Sequence, residues 1–375
     1  MADAVKSTVK EPLIHITKRT DISVTKQIVV RVVAIVTAFI LCGLLALVLI
    51  PSIGDNPAKL GTFYKCFIDG SFRSVKIIWR ALRDLSVLLC IALAITPAFK
   101  MKFWNIGAEG QVLVGVLAAE GIAFKLGGTM PEPLLLLLML VGAVAAGAIW
   151  GFIPALCKAL WGTNETLFTL MMNYIATFLV SFFLSLWITD GSQVMQKQAH
   201  GALAPIAGNA NLPVIICVAV LTVLIFVYLN YSKHGYEISV VGESVNTAKY
   251  IGINVKKIII RTMLLSGALC GFAGFLIGAG INQSVSPTSV GGKGFTAIMV
   301  SWLAKFSPAF MVLTSGLIVF LQRGAAEIMS VFNVSGSLAD IFVGLALFFV
   351  IGCEFFLNYQ LHFRKSKSEG KEKNV

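Results

Sequence analysis

Charged side chains are scarce in this sequence of 375 residues, in which Asp, Glu, Lys and Arg make up only 13%. Ordinary globular chains are roughly a quarter charged. Hydrophobic residues make up 57%, which excludes a single soluble core. The net charge of +12 lies mainly in the tails and short loops, as membrane topology requires, so we expect no nucleic-acid partner. The composition predicts an all-α polytopic membrane protein.

Residues for metal binding, redox chemistry or catalysis are also missing. There is no Cys-x-x-Cys, and of the seven cysteines all but Cys66 lie in apolar runs, so disulfides and metal sites are not expected. The four histidines lie outside the apolar runs, which disfavours an intramembrane histidine relay. Gly292-Lys293-Gly294 lacks the Ser or Thr and the upstream Gly of a phosphate loop. We therefore expect no enzyme activity, cofactor or metal on this chain.

Long apolar segments are what the sequence has instead. Residues 1–27 predict a disordered cytoplasmic tail, 28–358 a transmembrane domain and 359–375 a basic cytoplasmic tail. Segments 51–81, 189–211 and 282–293 are placed outside. The predicted spans are 28–50, 82–99, 106–126, 134–157, 165–188, 212–231, 258–281, 295–304, 309–328 and 338–357.

The number of spans depends on one short segment. Residues 295–304 are half of the roughly twenty that a helical crossing needs, so they form either a short span or a re-entrant piece. Both termini are basic and predicted to be cytoplasmic, and this requires an even number, about ten. The acid-containing segment 106–126 and the short segment 295–304 are then third in each set of five, which predicts an inverted repeat with broken helices.

Polar side chains interrupt some of these spans. Amides, a carboxylate and glycines stand together in Asn105-Ile106-Gly107-Ala108-Glu109-Gly110-Gln111. Polar groups in hydrocarbon must pair or line a wet cavity. They therefore form either a structural network between helices or a substrate path, with Trp104 and Trp302 as aromatic neighbours. The candidate path residues are Asn105, Glu109, Gln111, Asn164, Asn173, Gln283 and Ser301.

The longest polar interruption in the second half of the chain is the loop 232–262. Its lysines and arginine predict a cytoplasmic position. The pattern around Ala248 predicts a short amphipathic helix from Ser244 to Tyr250, which Gly252 would end. A helix held between two spans can dock a soluble partner, although a solvated loop would look similar.

Five short stretches of the sequence resemble those of a known family. They resemble parts of the permease subunits of ABC importers. The stretches are 242–255 and 266–274, the motif 105–111, and Thr163-Asn164-Glu165 with residues 170–176. The closest resemblance is to the branch for branched-chain amino acids, simple sugars and nucleosides, and within it to the purine nucleoside permeases. Ser239 departs from the arginine that the family usually has there, which indicates an adapted partner surface.

The resemblance implies a membrane subunit that forms the path for a nucleoside or similar polar solute in a bacterial cell membrane. It implies ATP-binding subunits that carry ATP and Mg²⁺, a second permease in a heterodimer, and an extracytoplasmic solute-binding lipoprotein. The loop would dock on the ATPase through Glu237, Gly242, Glu243, Asn246, Ala248, Tyr250 and Gly252.

Two alternatives remain open. A secondary transporter driven by an ion gradient needs titratable groups in the membrane, for which Glu109 with Glu120 and Asp340 with Glu354 are the candidates. A permease for sugars or branched-chain amino acids shares parts of the same motifs.

Overall fold

The computed structural model describes residues 14–18, 23–188 and 191–363. The regular secondary structure of these ranges is mainly α-helical, with two short strands. Two further turns, Pro57–Lys59 and the π-helical Gly278–Asn282, complete the regular structure of the described residues. In chain order the elements are β1 (Ile14–Lys18), α1 (Val24–Leu49), α2 (Pro51–Gly54), α3 (Leu60–Phe72), α4 (Val75–Lys100), α5 (Ala108–Leu126), α6 (Glu132–Trp161), α7 (Glu165–Trp187), α8 (Leu212–Tyr231), α9 (Lys233–Glu243), α10 (Val245–Tyr250), α11 (Val255–Ile277), α12 (Lys293–Leu303), α13 (Pro308–Phe332), α14 (Gly336–Asn358) and β2 (Tyr359–Phe363).

All ten predicted spans are helical in the structure. Among the described residues, eight helices are long and apolar enough to cross a membrane, namely α1, α4, α6, α7, α8, α11, α13 and α14. The other two are the segments that the sequence marks as weak: α5 carries Glu109, Glu120 and Lys125, and α12 has only 11 residues. The all-α polytopic fold is confirmed, whereas the crossing by α12 and the inverted repeat stay predictions.

The segment between the first two predicted spans is more helical than expected. Instead of an irregular segment from 51 to 81, the chain forms α2, α3 and the start of α4. The second span begins at Val75 rather than at residue 82, because Ser74 caps α4 by accepting a hydrogen bond from the Ile77 amide at 3.4 Å.

The predicted disorder of the N-terminal tail is wrong for two segments. Ile14–Lys18 form β1, which pairs antiparallel with β2, and α1 starts at Val24. The strand β2 likewise occupies the start of the predicted C-terminal tail. Residues 1–13, 19–22 and 364–375 of the two tails lie outside the described residues.

The chain divides into two compact units, Met1–Phe67 with Gly324–Val375, and Ile68–Arg323. In the first unit α1 packs against α14, and Phe63 contacts Phe342 edge to face with ring centroids 5.2 Å apart. Arg31 of α1 forms an ion pair with Glu354 of α14 at 2.7 Å. The candidate site residues all lie in the second unit.

Glycines bring three helices of the second unit into close contact. A side chain at Gly147 of α6 would overlap the backbone of Gly267 and Gly271 on α11, and one at Gly274 would overlap the backbone of α5 around Gly115. Gly147 and Gly151, and Gly267 and Gly271, stand at the GxxxG spacing that allows such close approach of membrane helices. α5, α6 and α11 therefore form a closely packed core from which the site elements extend.

Candidate functional site: a buried polar network and an exposed helix pair

Four buried side chains, Asn105, Gln111, Thr169 and Asn173, form what we call the polar network. Asn105 and Gln111 exchange amide hydrogen bonds at 3.2 and 3.3 Å. Asn173 of α7 accepts from the Gly110 amide at 2.9 Å and donates to the Ile106 carbonyl at 3.0 Å. The network therefore joins the loop before α5 to α7.

The hydroxyl of Thr169 completes this arrangement. It accepts from the Ile106 amide at 3.2 Å and donates to the Glu165 carbonyl one helical turn earlier at 2.7 Å. The irregular backbone before α5 is thus satisfied by side chains, as buried polar groups require. The structure brings three of the predicted path residues, Asn105, Gln111 and Asn173, close together, and their hydrogen bonds hold the start of α5. Their contact with a solute stays a prediction.

Glu109 binds the start of another helix. Its two carboxylate oxygens accept from the backbone amides of Gly292 at 2.8 Å and Gly294 at 2.7 Å, at the N-terminus of α12. A carboxylate there satisfies unpaired amides and complements the helix dipole. Glu109 is therefore the cap of α12. It contacts Gly292, which is 183 positions away in the chain, so sequence spacing could not reveal this contact.

The second acid of α5 is set apart. Glu120 is 1% exposed, and neither of its oxygens has a hydrogen-bond partner among the described residues. It is eleven residues from Glu109, which on a helix is about 16 Å, so the two do not form a carboxylate pair. Among the described residues, no group of three or more His, Cys, Asp or Glu could hold a metal ion.

The remaining path candidates are spread over other elements. Asn164 is exposed and caps α7 through the Leu167 amide at 3.1 Å. Ser301 is buried and donates to the Ala92 carbonyl of α4 at 3.1 Å. Gln283 follows the π-helical turn with a positive φ of 51°. Nothing in the described structure brings these three to the polar network.

Aromatic rings near Ser301 form a separate cluster. Trp104 and Trp302 are 39% and 51% exposed, with ring centroids 5.2 Å apart. Phe99 contacts Trp104 at 5.6 Å and stacks on Phe306 at 6.1 Å. These are the aromatic neighbours that the sequence predicts, and their accessible faces can stack on a planar ligand.

The loop between α8 and α11 folds as two helices, α9 and α10. The predicted helix at 244–250 is confirmed as α10, with Ser244 as its cap through the Thr247 amide at 3.2 Å. Gly252 ends it with a φ of 85°, and the Ile253 amide donates to the Ala248 carbonyl at 2.9 Å. This is a Schellman-type end, in which glycine is favoured because of the positive φ.

Helix α9 was not predicted. Ser232 caps it by accepting from the Gly235 amide at 2.9 Å. His234, Ile238 and Val241 are buried on one face at helical spacing, and this cap and spacing are the signals that could have indicated the helix. A side chain at Gly242 would overlap the Lys100 carbonyl at the end of α4, so α9 ends in direct backbone contact with the core.

The α9–α10 helix pair has a buried side and an exposed side. Ala248 is fully buried in an apolar cluster with residues of α4, α6, α9 and α11. Facing away from that cluster, Tyr250 is 92% exposed, Tyr236 64% and Ile251 53%. Of the other predicted docking residues, Glu243, Asn246 and Gly252 are exposed, Gly242 is buried and Glu237 is half-buried. The pair is thus a firmly anchored platform with exposed aromatic and apolar side chains.

Several known proteins are similar in sequence to most of this chain. The guanosine ABC transporter permease protein NupP of Bacillus subtilis is 31% identical over 343 residues, covering 89% of this chain and 96% of the relative. The nucleoside ABC transporter permease protein NupB of Lactococcus lactis is 28% identical over 315 residues, or 80% and 84%. The glucose ABC transporter permease protein TsgB13 of Haloferax volcanii is 29% identical over 292 residues, or 73% and 76%.

A protein family also matches most of the chain. Residues 77–351, which contain the polar network, the aromatic cluster and the α9–α10 pair, match the family described as the permease component of branched-chain amino acid transport systems. The predicted resemblance to ABC permeases is thereby confirmed. The chain is a multi-pass membrane protein and belongs to this family of transport-system permease components.

Proposed function

We propose that this chain is the permease subunit of an ABC importer for nucleosides and that it docks on a separate ATPase through the α9–α10 pair. One observation carries the docking part of the proposal. A helix with Ala248 buried in the core and Tyr250 almost fully exposed lies between two membrane helices. Exposed aromatic side chains on a fixed platform are typical of interaction hot spots.

The rest of the assembly follows from the same proposal. ATP and Mg²⁺ bind to the partner ATPase, a second permease completes the path, and a solute-binding lipoprotein delivers the substrate from outside. Both termini and the α9–α10 pair are on the cytoplasmic side of a bacterial cell membrane. The lysines of the loop, of which Lys233, Lys249 and Lys257 are exposed, support this orientation.

The substrate class rests on the relatives named as guanosine and nucleoside permeases. A nucleoside presents a planar base and a ribose with several hydroxyls. The exposed faces of Trp104 and Trp302 fit the base, because aromatic stacking needs an accessible ring face. The glucose permease relative makes a sugar the alternative.

Affinity purification of the tagged chain from its native membrane tests the assembly. We expect an ATP-hydrolysing protein to co-purify, and we expect Tyr250→Ser to weaken its binding by about tenfold or more, since hot-spot residues contribute about 2 kcal/mol or more. Tyr231→Ser is the matched control, because Tyr231 is 78% exposed but lies at the end of α8. A chain that purifies alone and transports solute without ATP would overturn the proposal.

Uptake competition tests the substrate. Cells that have this transporter as their sole nucleoside uptake system are given labelled guanosine together with unlabelled adenosine, uridine, glucose or leucine. We expect the nucleosides to compete and glucose and leucine not to. Competition by glucose alone would assign the chain to sugar transport while leaving the docking proposal intact.

A further inference from the structure

A cavity of about 530 Å³ lies beside the α9–α10 pair, next to the ends of α8 and α11. Its wall combines the first turn of α9, the loop after α10 and the first turns of α11. Four of its side chains carry chemistry suited to a negatively charged ligand. They are Lys233, His234, Lys257 and Arg261.

Positive charge exceeds negative charge in the wall of this cavity. Among the described residues, neither of the two lysines nor Arg261 forms an ion pair within 4.0 Å. Glu237 is the single acid in the wall. Two helix N-termini, those of the 11-residue α9 and the 23-residue α11, add further positive potential.

A buried side chain marks where the ligand would bind. His234 is 5% exposed, and its Nδ1 is hydrogen-bonded to the hydroxyl of Tyr228. Its Nε2 is buried and has no hydrogen-bond partner among the described residues. A buried polar atom without a partner costs free energy, and a ligand acceptor in the cavity would remove that cost.

We propose that this cavity binds a phosphate group, held by Lys257, Arg261 and the Nε2 of His234. A guanidinium binds two phosphate oxygens at once, and an ammonium adds a point charge. Three cationic side chains facing one cavity, Lys233, Lys257 and Arg261, match a multiply charged oxyanion better than a single carboxylate. Glu237, Ile251 and Gly252 line this cavity and also belong to the proposed docking surface, whereas Tyr250 does not line it, so the two sites adjoin. The phosphate proposal does not depend on the identity of the transported solute.

Two sources can supply the same phosphate chemistry. The cavity is next to the ends of two membrane helices, where anionic lipid headgroups are at hand and basic pockets bind them. Its volume also admits a soluble phosphate. The source therefore has to be determined by an experiment that presents each of them separately.

The experiment uses the purified full-length chain with its natural partners, if any co-purify. One arm titrates inorganic phosphate at constant ionic strength, against chloride, and measures binding calorimetrically. The other arm counts retained lipids by native mass spectrometry after exposure to phosphatidylglycerol or phosphatidylcholine. Binding of inorganic phosphate alone identifies a soluble source, and selective retention of phosphatidylglycerol identifies the headgroup. Either result supports the site.

Paired variants show whether the cavity is responsible. We expect Lys257→Gln/Arg261→Gln to weaken binding by about tenfold or more, because hydrogen bonds to charged groups are lost. Lys249→Gln/Lys256→Gln removes the same charge from exposed residues outside the cavity wall and should bind as the wild type does. His234→Asn retains a partner for Tyr228 and should weaken binding without unfolding the chain. Equal losses in both double variants, or no binding in either arm, would refute the site.

Discussion

The polar network and the α9–α10 helix pair use their polar residues in opposite ways. In the network, Asn105, Gln111 and Asn173 are buried and hydrogen-bonded to one another or to nearby backbone. In the helix pair, Tyr250 is almost fully exposed and the cations of the adjacent cavity have no ion pair among the described residues. The segment with the Asn105–Gln111 motif therefore shapes the core, while the α9–α10 pair leaves aromatic and charged side chains accessible.

The largest effect that separates the two regions is expected at Asn173. Asn173→Ala leaves the Gly110 amide and the Ile106 carbonyl without these buried partners, at about 1–3 kcal/mol each. We expect a loss of about 2–6 kcal/mol in unfolding free energy, measured by denaturation in detergent. Asn246→Ala on exposed α10 is the control and should leave stability unchanged.

Uptake kinetics can show whether the polar network contacts the solute instead of shaping the core. If Asn173→Ala is as stable as the wild type but raises the KM for guanosine uptake, the network contacts the solute rather than shaping α5. That outcome would favour the substrate path that the sequence predicts for Asn105, Gln111 and Asn173.

A second contrast lies within the helix pair, between Gly242 near the end of α9 and Gly252 just after α10. Gly242→Ala would press a methyl group against the Lys100 carbonyl, and such overpacking costs about 1–3 kcal/mol. Gly252→Ala meets open space but keeps a φ of 85°, which costs about 1–2 kcal/mol. We expect both to lower the melting temperature, with the larger drop in Gly242→Ala. A larger drop in Gly252→Ala would show that the contact between α9 and α4 can relax.

The sequence predicts the helices better than the site because different forces determine them. Apolar runs such as 212–231 must be helical in lipid, where every backbone group needs an internal partner. The Asn105–Gln111 motif predicts buried polarity, but its partners Thr169 and Asn173 are more than sixty residues away in the chain. Packing between helices brings them together, and no local pattern encodes that.

The cavity beside α9 is invisible in the sequence for a related reason. Lys233, Lys257 and Arg261 indicate topology when they are read along the chain. They line one cavity only because α9 turns back between α8 and α11. Helix α9 has no long apolar run, and its cap at Ser232 is a weak signal by itself.

A smaller effect is expected at Glu109. Glu109→Gln keeps an acceptor for one of the Gly292 and Gly294 amides but loses the charge and the second acceptor. We expect a loss of about 1 kcal/mol in stability, as for other helix caps, and uptake that still requires ATP. Uptake that depends on a proton gradient in the wild type and loses this dependence in Glu109→Gln would instead indicate an ion-coupled transporter.

The smallest effect is a pH dependence at His234. Burial lowers the pKa of its imidazole below the usual value, the charge of Arg261 lowers it further, and Glu237 opposes the shift. Tyr228 contacts the same ring, and Lys233 and Lys257 line the cavity.

The sign of the dependence follows from this shift. A histidine with a lowered pKa in the folded state gives full stability above its unfolded pKa of about 6.5. Below that pH the unfolded chain takes up the proton more readily, so stability falls as the pH drops towards the folded pKa. The asparagine in His234→Asn does not titrate. Its melting temperature should therefore fall less than that of the wild type between about pH 7 and pH 5, roughly the range in which histidine titrates. An identical fall in both proteins would assign the pH dependence to other groups, whereas phosphate that reduces the fall in the wild type alone would place the anion at His234.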